Sequence, residues 1–418
     1  MRIFDCSEGT VGRAGVDLFP PEKSGMTDMT KPGPNQTSLL HAGRPKSGWV
    51  NTPVSRASTF VFETMEALHD ARARRDAERV PSYGARGTDS TMALEELVEV
   101  LEGGYRSHLF PTGQAAIATV LTGFLNCGDH ILLSDAVYDP VRRLVSVELA
   151  RLGVEHTVYK PDGSDIGEKI KDNTRLIYVE SPGSMTYDIV DLPAIARLAH
   201  ERGILVVADN TWGSGILYRP LDLGADLSIS AATKYMGGHA DVMMGIVVAN
   251  EAAWPRLHEA TVNFGQTVGA DDAFLVARGI RSLPLRLKAH GERALAVAEW
   301  LLQRPEVAKV YCPALPGDRY HALWKRDCSG TNGLLSVALT NDYSTQDVEG
   351  LAETLKLFGI GASWGGFESL IMPSTPQNIR TLSDWKGHGP FFRLHIGLEE
   401  VDDLIADLAR GMDGLRRA

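Results

Sequence analysis

In the stretch SISAATKYMGGHAD, Ser228 to Asp241, an apolar run ends on one lysine, Lys234, set between Thr233 and Tyr235. Some twenty-five residues earlier, GILVVAD ends on Asp209. A lysine at the exit of one strand and a carboxylate at the exit of another can work together. The amine condenses with an aldehyde, and the carboxylate keeps a pyridine nitrogen protonated so that the ring can draw electrons. Pyridoxal phosphate needs both, and a phosphate cradle besides. LFPTGQAAIATVL supplies a cradle as strand, turn at Gly113 and helix, because the first amides of a helix are free to bind an anion. Tyr138, in SDAVYDP after another strand, can stack on a ring. Singly, each has a plain structural reading: a solvated lysine, a cap, a tight turn, a packed ring. Their succession along one stretch of chain makes the chemical reading the stronger.

The elements that must position them follow from periodicity. Short apolar runs, SHLF, HILLSD, RLIYVE, GILVVAD and GIVVAN, alternate with amphipathic segments such as DLPAIARLAHERG, which opens on an Asp cap and closes on Gly203. That alternation predicts an α/β fold whose mostly parallel sheet lies between helices, with ligands beyond the carboxyl ends of the strands. This large cofactor-binding unit is expected over 91–274. Beyond it the pattern turns α+β: a helical stretch RLKAHGERALAVAEWLLQRPEV, strands GLLSVALT and FFRLHIG, and a closing helix EEVDDLIADLARGMDGLRR. A smaller unit is expected over 275–418. Residues 1–90 are expected to form an N-terminal arm, rich in Gly, Pro, Ser and Thr to about residue 35, and an inter-subunit segment.

Composition bounds the partners. The 418 residues are 44% hydrophobic and 23% charged, with a net charge of −11. No basic excess exists to neutralise nucleic-acid phosphates, no apolar run is long enough to span a membrane, and the N-terminus lacks the apolar core of a secretory signal. Cys6, Cys127, Cys312 and Cys328 show neither metal-ligand spacing nor a disulfide framework, so a reducing cytoplasm is expected and metal is not.

DNTWGSG followed by SISAATKYMGGHADVMMG resembles the fold-type I pyridoxal-phosphate enzymes of Cys/Met metabolism. YGARGT, LEGG, VESPGS, PALPG, SWGGFESL and RLHIGLEEVDDLIADL extend the resemblance over about 35–418. Within the family, DNTW, ESPGS and SWGG are most similar to the bacterial β-acting lyases. The resemblance implies pyridoxal phosphate on Lys234, paired with Asp209 and stacked on Tyr138. It implies a phosphate site from Gly113, Gln114 and Thr233, with Tyr83 reaching in from a neighbouring subunit. Arg393 then clamps the substrate α-carboxylate, a task suited to a planar guanidinium, beside Ser363 and Trp364. Tyr138 is also implied as acceptor of a proton from the incoming amine. A sulfur amino acid, cystathionine or another cysteine S-conjugate, is the implied substrate. α,β-Elimination is the implied reaction, with γ-acting relatives as the alternative, and a homotetramer built from site-sharing dimers is the implied assembly.

Departures from the family pattern carry further expectations. Ala85 stands where an arginine is usual, with Arg86 one place late, so Arg86 is expected to take over that phosphate contact, the alternative being that it points to solvent or pairs with an acid such as Asp89. Ala231 stands where a serine is usual, and Ser230, one step earlier, is expected to supply the hydroxyl. Ala362, before SWGG, reshapes the substrate pocket.

Overall fold

A computed structural model describes residues 36–45, 47–383 and 389–415. The expected arm over 1–35 lies outside them.

The central sheet has seven strands: β1 Arg106–Phe110, β2 His130–Ser134, β3 Glu155–Tyr159, β4 Thr174–Glu180, β5 Leu205–Asp209, β6 Leu227–Ala231 and β7 Gly245–Ala249. Their spatial order is β1-β7-β6-β5-β4-β2-β3. The pairs from β3 across to β6 are parallel, and β7 runs antiparallel to both β6 and β1. Strands of this kind are covered on both faces, which is why they read as unbroken apolar runs rather than alternations. In β4, Leu176 and Tyr178 pack on one face with helix Gly113–Phe124, while Ile177 and Val179 pack on the other with helix Leu192–His200. Each buried aliphatic side chain of this kind contributes roughly 1.5–3 kcal/mol.

A second sheet, β8 Val307–Tyr311, β9 Leu334–Leu339, β10 Gly359–Ile360, β11 Leu370–Ser374 and β12 Phe391–His395, has the order β10-β11-β12-β9-β8. Helix Ala270–Leu301 serves both cores. Ala273, Val276 and Leu283 join the apolar cluster beside the first sheet, and Ala294, Val297 and Leu301 join the one under the second. A single helix therefore crosses the expected boundary at 274/275. Among the described residues no helix is long and apolar enough to cross a membrane.

Candidate functional site

The crevice forms where parallel strands end together. The β4–β5 register sets Glu180 beside Asp209, and β6 runs on past Ala231 through a turn to Lys234. The cavity there measures about 290 Å³, and its walls include Gly113, Tyr138, Asp209, Lys234, Trp364 and Arg393. Residues from both sheets thus meet at one point.

Lys234 Nζ donates to Ser363 Oγ at 2.8 Å and lies 5.4 Å from the Trp364 ring centre. No carboxylate among the described residues pairs with it. Burial, with the nearby Arg393 charge, lowers its ammonium to about 8. A minority of the amine, far more than for an ordinary lysine, is therefore neutral near physiological pH, as a nucleophile or base must be.

Asp209, at 7% exposure, is the counterpart. Thr211 donates to its Oδ1 through N at 3.0 Å and Oγ1 at 2.6 Å, and Tyr178 Oη donates to Oδ2 at 3.2 Å. Burial raises this carboxyl, although Thr211 and Tyr178 oppose the rise. An ionised carboxylate so placed is costly until a cation joins it. A protonated ring nitrogen is such a cation.

The phosphate end is equally defined. Thr112 caps helix Gly113–Phe124 by accepting from Ala115 N at 3.0 Å, leaving the amides of Gly113 and Gln114 without partners inside the helix. A Cβ at Gly113 would stand 2.9 Å from that of Ala231, so the close approach of helix to strand requires glycine. Gln114 Oε1 is buried without a partner. Thr233 lines the cavity, with its hydroxyl tied to Met244. A free helix N-terminus, an uncompensated carboxylate and an unpaired amine arranged around one cavity fit pyridoxal phosphate.

Ser230 corrects the expectation made for it. Successive side chains of a strand point to opposite faces. Ala231 faces the cavity, so Ser230 faces away, 3.4 Å from the buried Glu102. Its hydroxyl belongs to a network in which Glu102 also accepts from Asn210 and Ser228, and is not in the phosphate cradle.

Tyr138 is half-exposed at the cavity mouth, and its backbone N donates to Glu180 Oε2 at 2.6 Å. Burial and the charges of Glu180 and Asp209 raise its phenol. Arg393, on β12, donates to Ala362 O at 2.8 Å and Ser363 O at 3.1 Å; no carboxylate among the described residues pairs with it. Tyr83 and Arg86 are not at this cavity within one chain. Tyr83 is exposed, and Arg86 donates to Asp76 Oδ1 at 3.1 Å in a separate crevice near His258.

Glu180, Tyr178 and Thr211 escaped the sequence reading. Thr211 had a local signal, a hydroxyl two residues after an aspartate. The other two act across strands, which only the register reveals.

Comparison with known proteins agrees with this geometry. The chain is 46% identical to the cystathionine beta-lyase of Bordetella avium, over 90% of this chain and 97% of that one. It is 42% identical to cystathionine beta-lyase MetC of Escherichia coli K12, with the same coverages. The crystal structure of cystathionine gamma-lyase from Lactobacillus plantarum, complexed with L-serine, superposes with a TM-score of 0.83 at 30% identity, covering 92% of this chain and 99% of that one. The family model of the Cys/Met metabolism PLP-dependent enzymes matches residues 36–413, which include every element of the cavity, and the chain belongs to that family.

Proposed function

We propose that this protein is a carbon–sulfur lyase that converts cystathionine and water to homocysteine, pyruvate and ammonia by α,β-elimination. The observation that carries this is the pairing of an uncompensated, partly neutral Lys234 with an unpaired Arg393 across one cavity. The two relatives named for β-lyase activity support the regiochemistry.

Pyridoxal phosphate supplies an aldehyde for the amino group and a sink for the charge left when the Cα proton departs. The chain's own residues do the rest. Arg393 holds the α-carboxylate and so fixes which bond at Cα faces Lys234. Lys234 Nζ, in the cavity wall, would take the Cα proton and could return one to the departing thiolate. Tyr138 would stack on the ring; burial and the charges of Glu180 and Asp209 keep its phenol protonated, so the expected transfer of the ammonium proton to it is not supported. Asp209 keeps the ring nitrogen cationic, and the helix at Gly113 and Gln114, with Thr233, receives the phosphate. Ser363 and Trp364 hold the lysine in place between steps.

Incubation with cystathionine decides the reading. Pyruvate with homocysteine is the expected outcome; 2-oxobutyrate with cysteine would instead place the protein with the γ-acting enzymes. Ala362, exposed at the cavity wall beside Arg393, favours one further comparison, with other cysteine S-conjugates as substrates.

The assembly belongs to the same proposal: a cytoplasmic homotetramer of dimers, in which Tyr83 and Arg86 complete the phosphate site of a neighbouring protomer. Arg86 must first leave Asp76. That pair is partly exposed, with side chains 22% and 56% accessible, so releasing it costs about 0–1 kcal/mol. Arg86→Ala is expected to weaken cofactor binding about tenfold or more, the loss of one charge-assisted contact. An unchanged affinity in a titration of apo-enzyme would confine Arg86 to its pairing with Asp76.

A further inference from the structure

The turn that follows β4 carries two cavity residues in an unfavourable backbone region. Met185 has φ 70° and Tyr187 φ 54°, where a Cβ crowds the following carbonyl and glycine is the usual occupant. Such conformations persist only when the surroundings over-determine them. Here the surroundings centre on Arg380, a guanidinium buried to 8% exposure and contributed by a distant part of the chain.

Arg380 reaches into the turn. It donates to Ser184 O, to Thr186 Oγ1 at 2.8 Å and to Asp188 Oδ2 at 3.3 Å. It therefore grips the backbone just before Met185 and side chains on both flanks of Tyr187. Asp188 also accepts from Arg319 at 2.6 Å and Tyr320 Oη at 2.9 Å. Asp135, fully buried, anchors the next residues: Thr381 N at 2.8 Å, Leu382 N at 3.1 Å and Ser383 Oγ at 3.2 Å. Arg380 is thus presented from a fixed base.

The grip leads to the substrate side of the cavity. Tyr187 Oη lies 3.2 Å from Ser336 Oγ, and Ser336 is the β9 residue paired in register with Arg393. A buried ion pair is a poor device for stability alone, because apolar side chains of similar volume commonly serve as well. It is a good device for holding one polar backbone conformation.

We propose that Arg380 is a positioning residue for substrate binding, holding the Ser184–Asp188 turn so that Met185 and Tyr187 present a fixed wall beside Arg393. The inference rests on the reading of Arg393 as the carboxylate clamp, and its test separates the two. Holoenzymes of Arg380→Met, Arg380→Lys and Asp407→Asn are compared. Asp407 is a buried carboxylate on helix Val401–Asp413 that accepts from Lys356 N and Leu357 N away from the cavity, and its variant controls for lost stability. Amide exchange is followed without substrate across 183–188, so this arm stands whatever the substrate is. Arg380→Met is expected to speed exchange there about tenfold or more, and Arg380→Lys less, with Asp407→Asn leaving the turn at the wild-type rate. With cystathionine, Arg380→Met is expected to raise KM about tenfold while kcat stays within about threefold. Wild-type exchange across the turn in Arg380→Met, or an equal KM rise in Asp407→Asn, would overturn the proposal. If Arg380→Met does not fold, Arg380→Lys alone decides, by the same split between KM and kcat.

Discussion

Lys234→Ala is expected to lower kcat by about 10³-fold or more, the effect of deleting a positioned base that also transfers protons. The variant should still take up pyridoxal phosphate at the helix N-terminus and Asp209, yet lose the absorption that the cofactor gives when joined to lysine. Melting should change little, since Lys234 contributes only a hydrogen bond to exposed Ser363 and a contact with Trp364. The pH dependence has a definite sign. The neutral amine attacks, and burial beside Arg393 lowers its ammonium from 10.5 to about 8. Recombination of wild-type apo-enzyme with the aldehyde should therefore accelerate with rising pH, reach half its maximum near 8 and level off about one unit higher. A plateau only above 10 would show that the amine is not held as described.

Arg393→Ala is expected to reduce kcat/KM about 10²–10³-fold, the range for truncating one partner of a desolvated charge pair. Before substrate arrives, its guanidinium makes two hydrogen bonds to carbonyl oxygens, each worth about 1 kcal/mol. The melting temperature should accordingly fall by only a few degrees. A large stability loss with a small kinetic one would make Arg393 a strut for the Ala362–Ser363 turn instead. Arg393→Lys should recover part of the charge without the planar fork.

How far the sequence reaches is visible in particular residues. Lys234, Asp209 and Gly113 were legible because each stands at the end of an apolar run, and strand ends in such a sheet open on one crevice. Ser230 was misplaced by a single residue, since proximity along the chain says nothing of the pleat that turns it toward Glu102. Tyr178 and Glu180 were invisible because their partners, Asp209 and the Tyr138 amide, lie across strands and loops. Helix Ala270–Leu301 was read as beginning only at Arg286, although Pro284 lies inside it. The helix continues past it, buried by both cores, at the loss of one backbone hydrogen bond.

The site also has two parents. Lys234, Asp209, Tyr138 and Gly113 follow or end elements of the first sheet, whereas Arg393, Ser363 and Trp364 come from the second. A lineage can therefore accumulate changes in the second set while the first, with its strand register and its glycine-limited contact, is inherited intact. Selection for a new substrate then need not reinvent the reaction centre, and descendants as far apart as 30% identity, such as the L. plantarum gamma-lyase, can keep one architecture under different trades.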